Sequence, residues 1–298
     1  MCEAVHIRVQ NFEQLYDIPR RPCRRRNQRS VITPMRPCEG RDVGAAVSDA
    51  PLATEDRRVP MTLGNVQHWE DKMAFAGFDR SGYPGDMIMT TLKNTTNLVF
   101  CGYYFPAPSH SDPSWLGKRS FVQSLGFGIA PIYVGEQVEG PGSHHPSREK
   151  GTIDGNDAAR QMESEGFAPG SCVYLDLENG PPLQPIQADY VNSWCDAVQG
   201  AGFFPGVYCS HLLAAPINAQ QATARIWAVK VTTTAPHPVA GPPYPEVNPG
   251  IGSGFPAAAL VQLHQNCQIR VAGLAKPLTV DLDSAAMPNP GAPASEVA

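Results

Sequence analysis

From Met73 onward, apolar residues gather into short runs separated by polar breaks rich in glycine and proline. MAFAGFD (73–79) is followed by LVFCGYYF (98–105), FGIAPIYVG (127–135) and CVYLDLE (172–178). FFPGVYCS (203–210), ARIWAVKV (224–231), AALVQLHQ (258–265) and LTVDLD (278–283) complete a set of eight. Their length and their β-branched and aromatic content suit strands buried on both faces, as in parallel sheet.

Amphipathic segments lie between several of the runs. The spacing predicts helices over 86–95, 114–125, 154–165 and 185–199. Ser114 is placed to cap the second. In the fourth, Ile186, Tyr190, Val191, Trp194 and Val198 form one apolar stripe. Glycines close the helices at Gly126, Gly166, Gly200 and Gly202. Ser210 is read as the cap of a further helix opening on HLLAA.

The runs start about 29 residues apart on average. That is the length of one strand–helix unit when about 250 residues make eight of them. The pattern therefore predicts a single (β/α)8 barrel of the TIM type over residues 73–289. A doubly wound open sheet is the rival, but no G-x-G-x-x-G follows the first strand. The last residues, 290–298, are expected to be a flexible tail.

Composition agrees with a packed domain. Of 298 residues, 42% are hydrophobic and 17% charged, which excludes a wholly disordered chain. No stretch approaches the eighteen consecutive apolar residues that a membrane span needs. The net charge of -5 offers the barrel no general attraction to nucleic acid. Eight cysteines are too sparse for a disulfide scaffold, and they include no C-x-x-C, so no zinc site and no other cofactor is expected. Cys101, Cys172 and Cys209 are read as reduced core thiols.

Charge is uneven along the chain. Eight arginines fall between Arg20 and Arg41, in the run RRPCRRRNQRS and its proline-flanked surroundings. Residues 1–72 are accordingly read as a disordered leader. An arm that binds phosphate or directs targeting is one reading; a solvated tail, or sequence upstream of a true start at Met61 or Met73, is the other. Arg20-Arg21 is not followed by the apolar core of an export signal.

In such barrels the chemistry sits where strands end. Asp79 ends the first run, Tyr133 and Glu136 the third, and Asp176 and Glu178 the fourth. Tyr208 and Ser210 end the fifth, Gln262 and His264 the seventh, and Asp281 and Asp283 the eighth. Strand alternation puts Tyr174, Asp176 and Glu178 on one face. Two neighbouring carboxylates split their apparent pKa values, so one can hold a proton near neutrality. Glycosidases use such a pair for leaving-group protonation and charge stabilisation. Glu178 is the candidate general acid and Asp176 its partner, with Asp79 and Asp281 joining them from the first and eighth strands. A cation site, or an ion pair with Lys230, is the structural alternative for the same D-x-E.

Several further motifs then align in one order. GFDRSGYPGD (77–86), PAPSHSDPSWLGKR (106–119), PIYVGEQV (131–138), GTIDGNDAA (151–159), YLDLENGPP (174–182), GVYCSHLLA (206–214), RIWAVKV (225–231) and VDLD (280–283) resemble the bacterial glycoside-hydrolase-like domain of unknown function. That TIM-barrel family is related in shape to family 25 lysozymes. The resemblance covers residues 73–289 and none of the leader. It implies a groove suited to glycans such as peptidoglycan and an extracytoplasmic home. It carries the site to Asp79, Asp176, Glu178 and Asp281, and aligns His110, Asp112 and Trp115 with the loop after the second strand. Trp115 is expected to be a sugar platform, with His110, Tyr133, Tyr208 and Gln262 as further glycan contacts. Where relatives carry Trp-Gln-Tyr, this chain reads Val261-Gln262-Leu263, which weakens sugar stacking. Two functions follow as expectations: a retaining hydrolase of an amino-sugar polymer, or a barrel that binds glycan without turnover.

Overall fold

The structure, a computed structural model, describes residues 74–293. The arginine-rich leader lies outside the described residues. All eight apolar runs are strands, and they close into an eight-stranded barrel. β1 (Phe75–Asp79), β2 (Phe100–Tyr104), β3 (Gly128–Val134), β4 (Cys172–Asp176), β5 (Phe204–Ser210) and β6 (Arg225–Val229) pair in sequence order and in parallel. A two-residue strand, β7 (His237–Pro238), lies on the flank of β8 (Ala258–Ile269). β8 pairs in parallel with β6, and β9 (Leu278–Ala285) closes the barrel against β1.

The closing strand departs from the eightfold pattern. β9 runs antiparallel to both of its neighbours. The reason is connection length: eight residues separate Ile269 from Leu278, whereas a parallel return needs a dozen or more. β8 and β9 therefore form a hairpin, with no helix between them.

Five helices fill the earlier crossovers: α1 (Asp86–Thr95), α2 (Arg119–Ser124), α3 (Arg148–Ser164), α4 (Pro185–Gly200) and α5 (His211–Gln220). A short α6 (Pro249–Ser253) precedes β8. α1 and α4 match the spacing closely, whereas α2 starts five residues later than expected. Ser114 does not cap it; its hydroxyl instead accepts the Tyr83 N–H. α3 begins earlier, at Arg148, because the Ser147 side chain accepts from the Lys150 N–H. Ser210 does cap α5, accepting from the Leu212 N–H.

Physical chemistry explains α4 at both ends. Pro185 occupies its first turn, where a missing N–H costs nothing. Gly202, at φ 86°, turns the chain back so that the Phe203 N–H reaches the Val198 carbonyl. Tyr190, Val191, Trp194 and Val198 are buried, each worth about 1.5–3 kcal/mol relative to exposure. Ile186, at the edge of the same stripe, stays exposed.

Below the rim the barrel is filled by side chains. The Tyr174 ring lies edge-on to Trp227, with centroids 5.5 Å apart, over Gly206, where any Cβ would sit 2.4 Å from the ring. The Tyr174 hydroxyl donates to the Pro290 carbonyl, and the Cys172 N–H to that of Gly291. Pro290, Gly291 and Ala292, expected in a flexible tail, are thus buried and bonded into the barrel. Cys101, Cys172, Cys195, Cys209 and Cys267 are free and buried.

Candidate functional site

Strand register decides which side chains enter the barrel. Tyr104, Ile132 and Tyr174 are partners across β2, β3 and β4, and Asp176 pairs with Tyr208, which pairs with Trp227. These residues share the inner face with Gln262. Tyr133 pairs with Leu175 on the other face. Its hydroxyl donates to Asp157 on α3 and its ring packs 6.3 Å from Trp194 on α4. Tyr133 is therefore outside the barrel, between strand and helices, and cannot meet a ligand in the cleft.

Trp115 also fails as a platform. It is wholly buried, donates its indole N–H to the Arg80 carbonyl, and packs against Tyr83 and Tyr103. It anchors the loop after β2 and offers no face to solvent.

The acids do converge. Asp79, at the end of β1, lies directly opposite Asp281 on β9. Because β9 is antiparallel, Asp281 is the outer and Asp283 the deeper acid of that strand. Asp79 accepts from the Tyr104 hydroxyl at 2.5 Å. Asp281 accepts the Gln262 side-chain amide at 2.6 Å on one oxygen and the Asn266 N–H at 2.6 Å on the other. The Gln262 carbonyl takes the Tyr208 hydroxyl, and Asp283 accepts from the Trp227 indole at 3.3 Å. Two sequence-expected contacts, Tyr208 and Gln262, thus belong to the chain that holds Asp281. His110 stands beside this group, its ring 5.2 Å from that of Tyr104.

No lysine, arginine or histidine among the described residues forms an ion pair with Asp79, Asp176, Glu178, Asp281 or Asp283. Lys230, a considered partner of the D-x-E, is not one. A buried carboxylate without a counter-charge resists ionisation. Burial, then the charges of Glu178, Asp79 and Asp281, raises Asp176 well above the usual carboxylate range. Asp281 and Asp283 are raised well above it too, first by burial and then by Asp79. Burial raises Asp79 as well, opposed by the Tyr104 hydroxyl, which hydrogen-bonds its charged form. Neighbouring buried carboxylates cannot all ionise, so Asp79 and Asp283 share at least one proton between them.

Glu178 follows β4 and, like Asp281, keeps partial exposure, whereas Asp79, Asp176 and Asp283 are buried. Burial, then the charge of Asp79, lifts it to about 7. Its backbone N–H is fixed by the Gln137 carbonyl, while the Gln137 amide grips the Asp176 carbonyl. One side chain thereby locks both ends of the D-x-E. Glu136, by contrast, is drawn aside. Burial would raise it, but the Ser143 hydroxyl, the His145 N–H and Lys150 outweigh that and hold it below its usual value.

Three carboxylate oxygens (Oδ2 of Asp79, Oδ1 of Asp176 and Oδ2 of Asp283) are buried without a hydrogen-bond partner. So is Nε2 of His110, whose imidazole is kept neutral by burial against the opposing pull of Asp112. Sequence reasoning missed Trp227 and Gln137 as members of this site. Tyr104, near the end of the second run, and Asp283, placed with Asp281 at the end of the eighth, were given no part in the chemistry.

Residues 91–268 match the family model described as the Rv2525c-like, glycoside hydrolase-like domain. The chain belongs to that family. Among solved structures, it is similar to the Tat-secreted protein Rv2525c of Mycobacterium tuberculosis, in complex with HEPES. The two share 14% identity at TM-score 0.50, over 74% of this chain and 98% of that one. It is also similar to an uncharacterized protein of B. stearothermophilus (16% identity, TM-score 0.47, 71% of this chain and 95% of that one). The spore cortex lytic enzyme SleM of Clostridium perfringens gives 14% identity and TM-score 0.47, over 71% of this chain and 67% of that one. No curated protein matches the chain. Among the described residues, no helix is long and apolar enough to cross a membrane.

Proposed function

We propose that this protein is a glycoside hydrolase acting on an amino-sugar polymer such as peptidoglycan, with Glu178 as general acid and Asp176 as its partner. One observation carries the reading. Five carboxyl groups gather at the ends of β1 and β4 and on β9 without basic counter-charge among the described residues, and the partly exposed Glu178 is lifted to about 7. That value suits a group that must give up a proton near neutral pH and take one back.

Glu178 donates its proton to the glycosidic oxygen as the bond from C1 breaks, and the leaving sugar departs as an alcohol. The ionised member of the Asp79/Asp283 pair stabilises the positive charge developing on the ring. Asp176, held neutral, has a free oxygen that can orient a 2-acetamido group whose carbonyl oxygen captures C1. Water then attacks C1 as the acetamido oxygen leaves it, passes a proton to the ionised Glu178 and leaves a new reducing end. The 2-acetamido role is what favours an amino sugar over a plain hexose, in line with the family resemblance. An extracytoplasmic place of action follows from the same substrate.

Incubation of the full chain with peptidoglycan tests this by counting reducing ends. Release by the wild type and none by Glu178→Gln supports hydrolysis. Binding by both with no release by either supports a glycan-binding barrel instead.

A further inference from the structure

The absence of a C-x-x-C argued against a zinc site, yet strand pairing assembles one from distant positions. His237 on β7 is the register partner of Cys267 on β8, and His264 lies three residues before that cysteine. One ligand atom from each of the three lies within 4.8 Å of the other two. We infer that His237, His264 and Cys267 bind one zinc-class divalent ion, with a fourth position left to water.

Geometry supports more than proximity. The Nδ1 of His237 lies 3.0 Å from the Ala235 carbonyl. A carbonyl can only accept, so the ring proton is on Nδ1 and the Nε2 lone pair is free. That Nε2 is 3.8 Å from the Cys267 Sγ. For a tetrahedral ion with Zn–N near 2.0–2.1 Å and Zn–S near 2.3 Å, the edge between nitrogen and sulfur is about 3.6 Å. An imidazole whose second nitrogen donates to a backbone carbonyl is also the arrangement metal-binding histidines use to fix ring and tautomer. The His264 ring completes the triangle, 6.0 Å from that of His237 between centroids.

The local backbone is shaped to bring the three together. Register slips twice between β8 and β9, at Gln262/His264 and at His264/Cys267. Asn266 sits within the second slip, in the left-handed region at φ 56°, where Asn is tolerated better than most residues. Its side-chain amide donates to the Thr234 carbonyl at 2.6 Å, tying the 234–238 segment to β8. Its backbone N–H holds Asp281. Two imidazoles and a thiolate select zinc or cobalt over magnesium and calcium, which take oxygen ligands. On binding, the Cys267 thiol proton passes to solvent and the thiolate sulfur bonds the ion.

The test uses the full reduced chain with zinc(II) and cobalt(II) as probes. One equivalent of zinc should be retained through desalting, unmoved by excess magnesium. Cobalt(II) should give a sulfur-to-metal charge-transfer band in the near ultraviolet. Cys267→Ser should abolish that band. Should Cys267→Ser unfold the chain, His237→Ala, at a half-buried position on the short flanking strand, provides the second variant. It should weaken zinc by more than the roughly 10–100-fold that loss of an outer-shell partner costs. Cys2, Cys23 and Cys38 remain in both variants, so binding by the leader would survive. Absence of the wild-type band, or its persistence unchanged in Cys267→Ser or His237→Ala, would overturn the assignment.

Discussion

A Cβ built on Gly102 would lie 2.6 Å from the Cβ of Asp79. Gly102, in the middle of β2, is bare, so the β1 acid can lie over it and accept the Tyr104 hydroxyl. Gly102→Ala must therefore move either Asp79 or Ile132, whose Cδ1 is 2.9 Å from the same point. The expected cost is about 1–3 kcal/mol of stability, as for other overpacked positions. Peptidoglycan cleavage should fall more than that loss alone would explain. Denaturant melts and reducing-end assays on the same samples separate the two effects.

Trp115 gives a second prediction, because its burial replaces the platform role with a packing one. Trp115→Ala should destabilise the protein by about 3–5 kcal/mol. Trp115→Phe should keep most of the packing and leave glycan affinity near that of the wild type. A large affinity loss in a fully folded Trp115→Phe would contradict the placement.

The pH dependence of stability follows from the acid cluster. Asp176, Asp281 and Asp283 have folded-state values raised first by burial and then by the neighbouring charges, chiefly Asp79 and Glu178. In the unfolded chain they ionise near pH 4, whereas the folded protein keeps them protonated. The folded state therefore binds more protons as pH rises above that value, and stability falls through the window up to the raised folded values. Asp283→Asn removes one such group while its side-chain carbonyl can still accept the Trp227 indole. At pH 8 it should raise Tm by about 2–5 °C, and the difference should vanish below about pH 4. A wild type as stable as this variant at pH 8 would count against the cluster.

How much of this was visible in the sequence depends on the interaction that fixes each feature. The eight strands were, because a strand buried on both faces leaves a local apolar run. Asp79, Asp176 and Glu178 were too, since each lies at or near the end of such a run. Asp281 meets them from the middle of the antiparallel β9, so its place at the rim follows from pairing with Asp79 and not from a strand end. The direction of β9 was missed although the eight-residue link before it held the clue. Tyr133 was misplaced because Pro131 interrupts its run. Which of Ile132 and Tyr133 faces inward is set by register with Tyr104 and Tyr174, and no single strand records that. Trp115 was misread because a tryptophan in a loop looks like a platform until the Tyr83 and Tyr103 rings close over it. The His237, His264 and Cys267 group depends on pairing between β7 and β8 and had no local signature.

Gln137 offers a prediction that sequence spacing alone would not have suggested. It clamps the Glu178 N–H and the Asp176 carbonyl at once. Gln137→Ala leaves two buried backbone groups unmatched, costing about 1–3 kcal/mol. It should lower kcat while KM changes little, because it orients the acid rather than touching sugar. Gln137→Glu, which keeps the acceptor but loses the amide donor, should recover only part of the rate.

The proton on Glu178 is the point on which the functional account turns. The direct measurement is kcat/KM for reducing-end release from peptidoglycan across pH 5 to 9, wild type beside Glu178→Gln. The account predicts a wild-type rate that declines as pH rises through about 7, when the acid ionises, and no release by the variant at any pH. Release by Glu178→Gln at the wild-type rate, or a wild type that holds peptidoglycan without cutting it, would contradict the account.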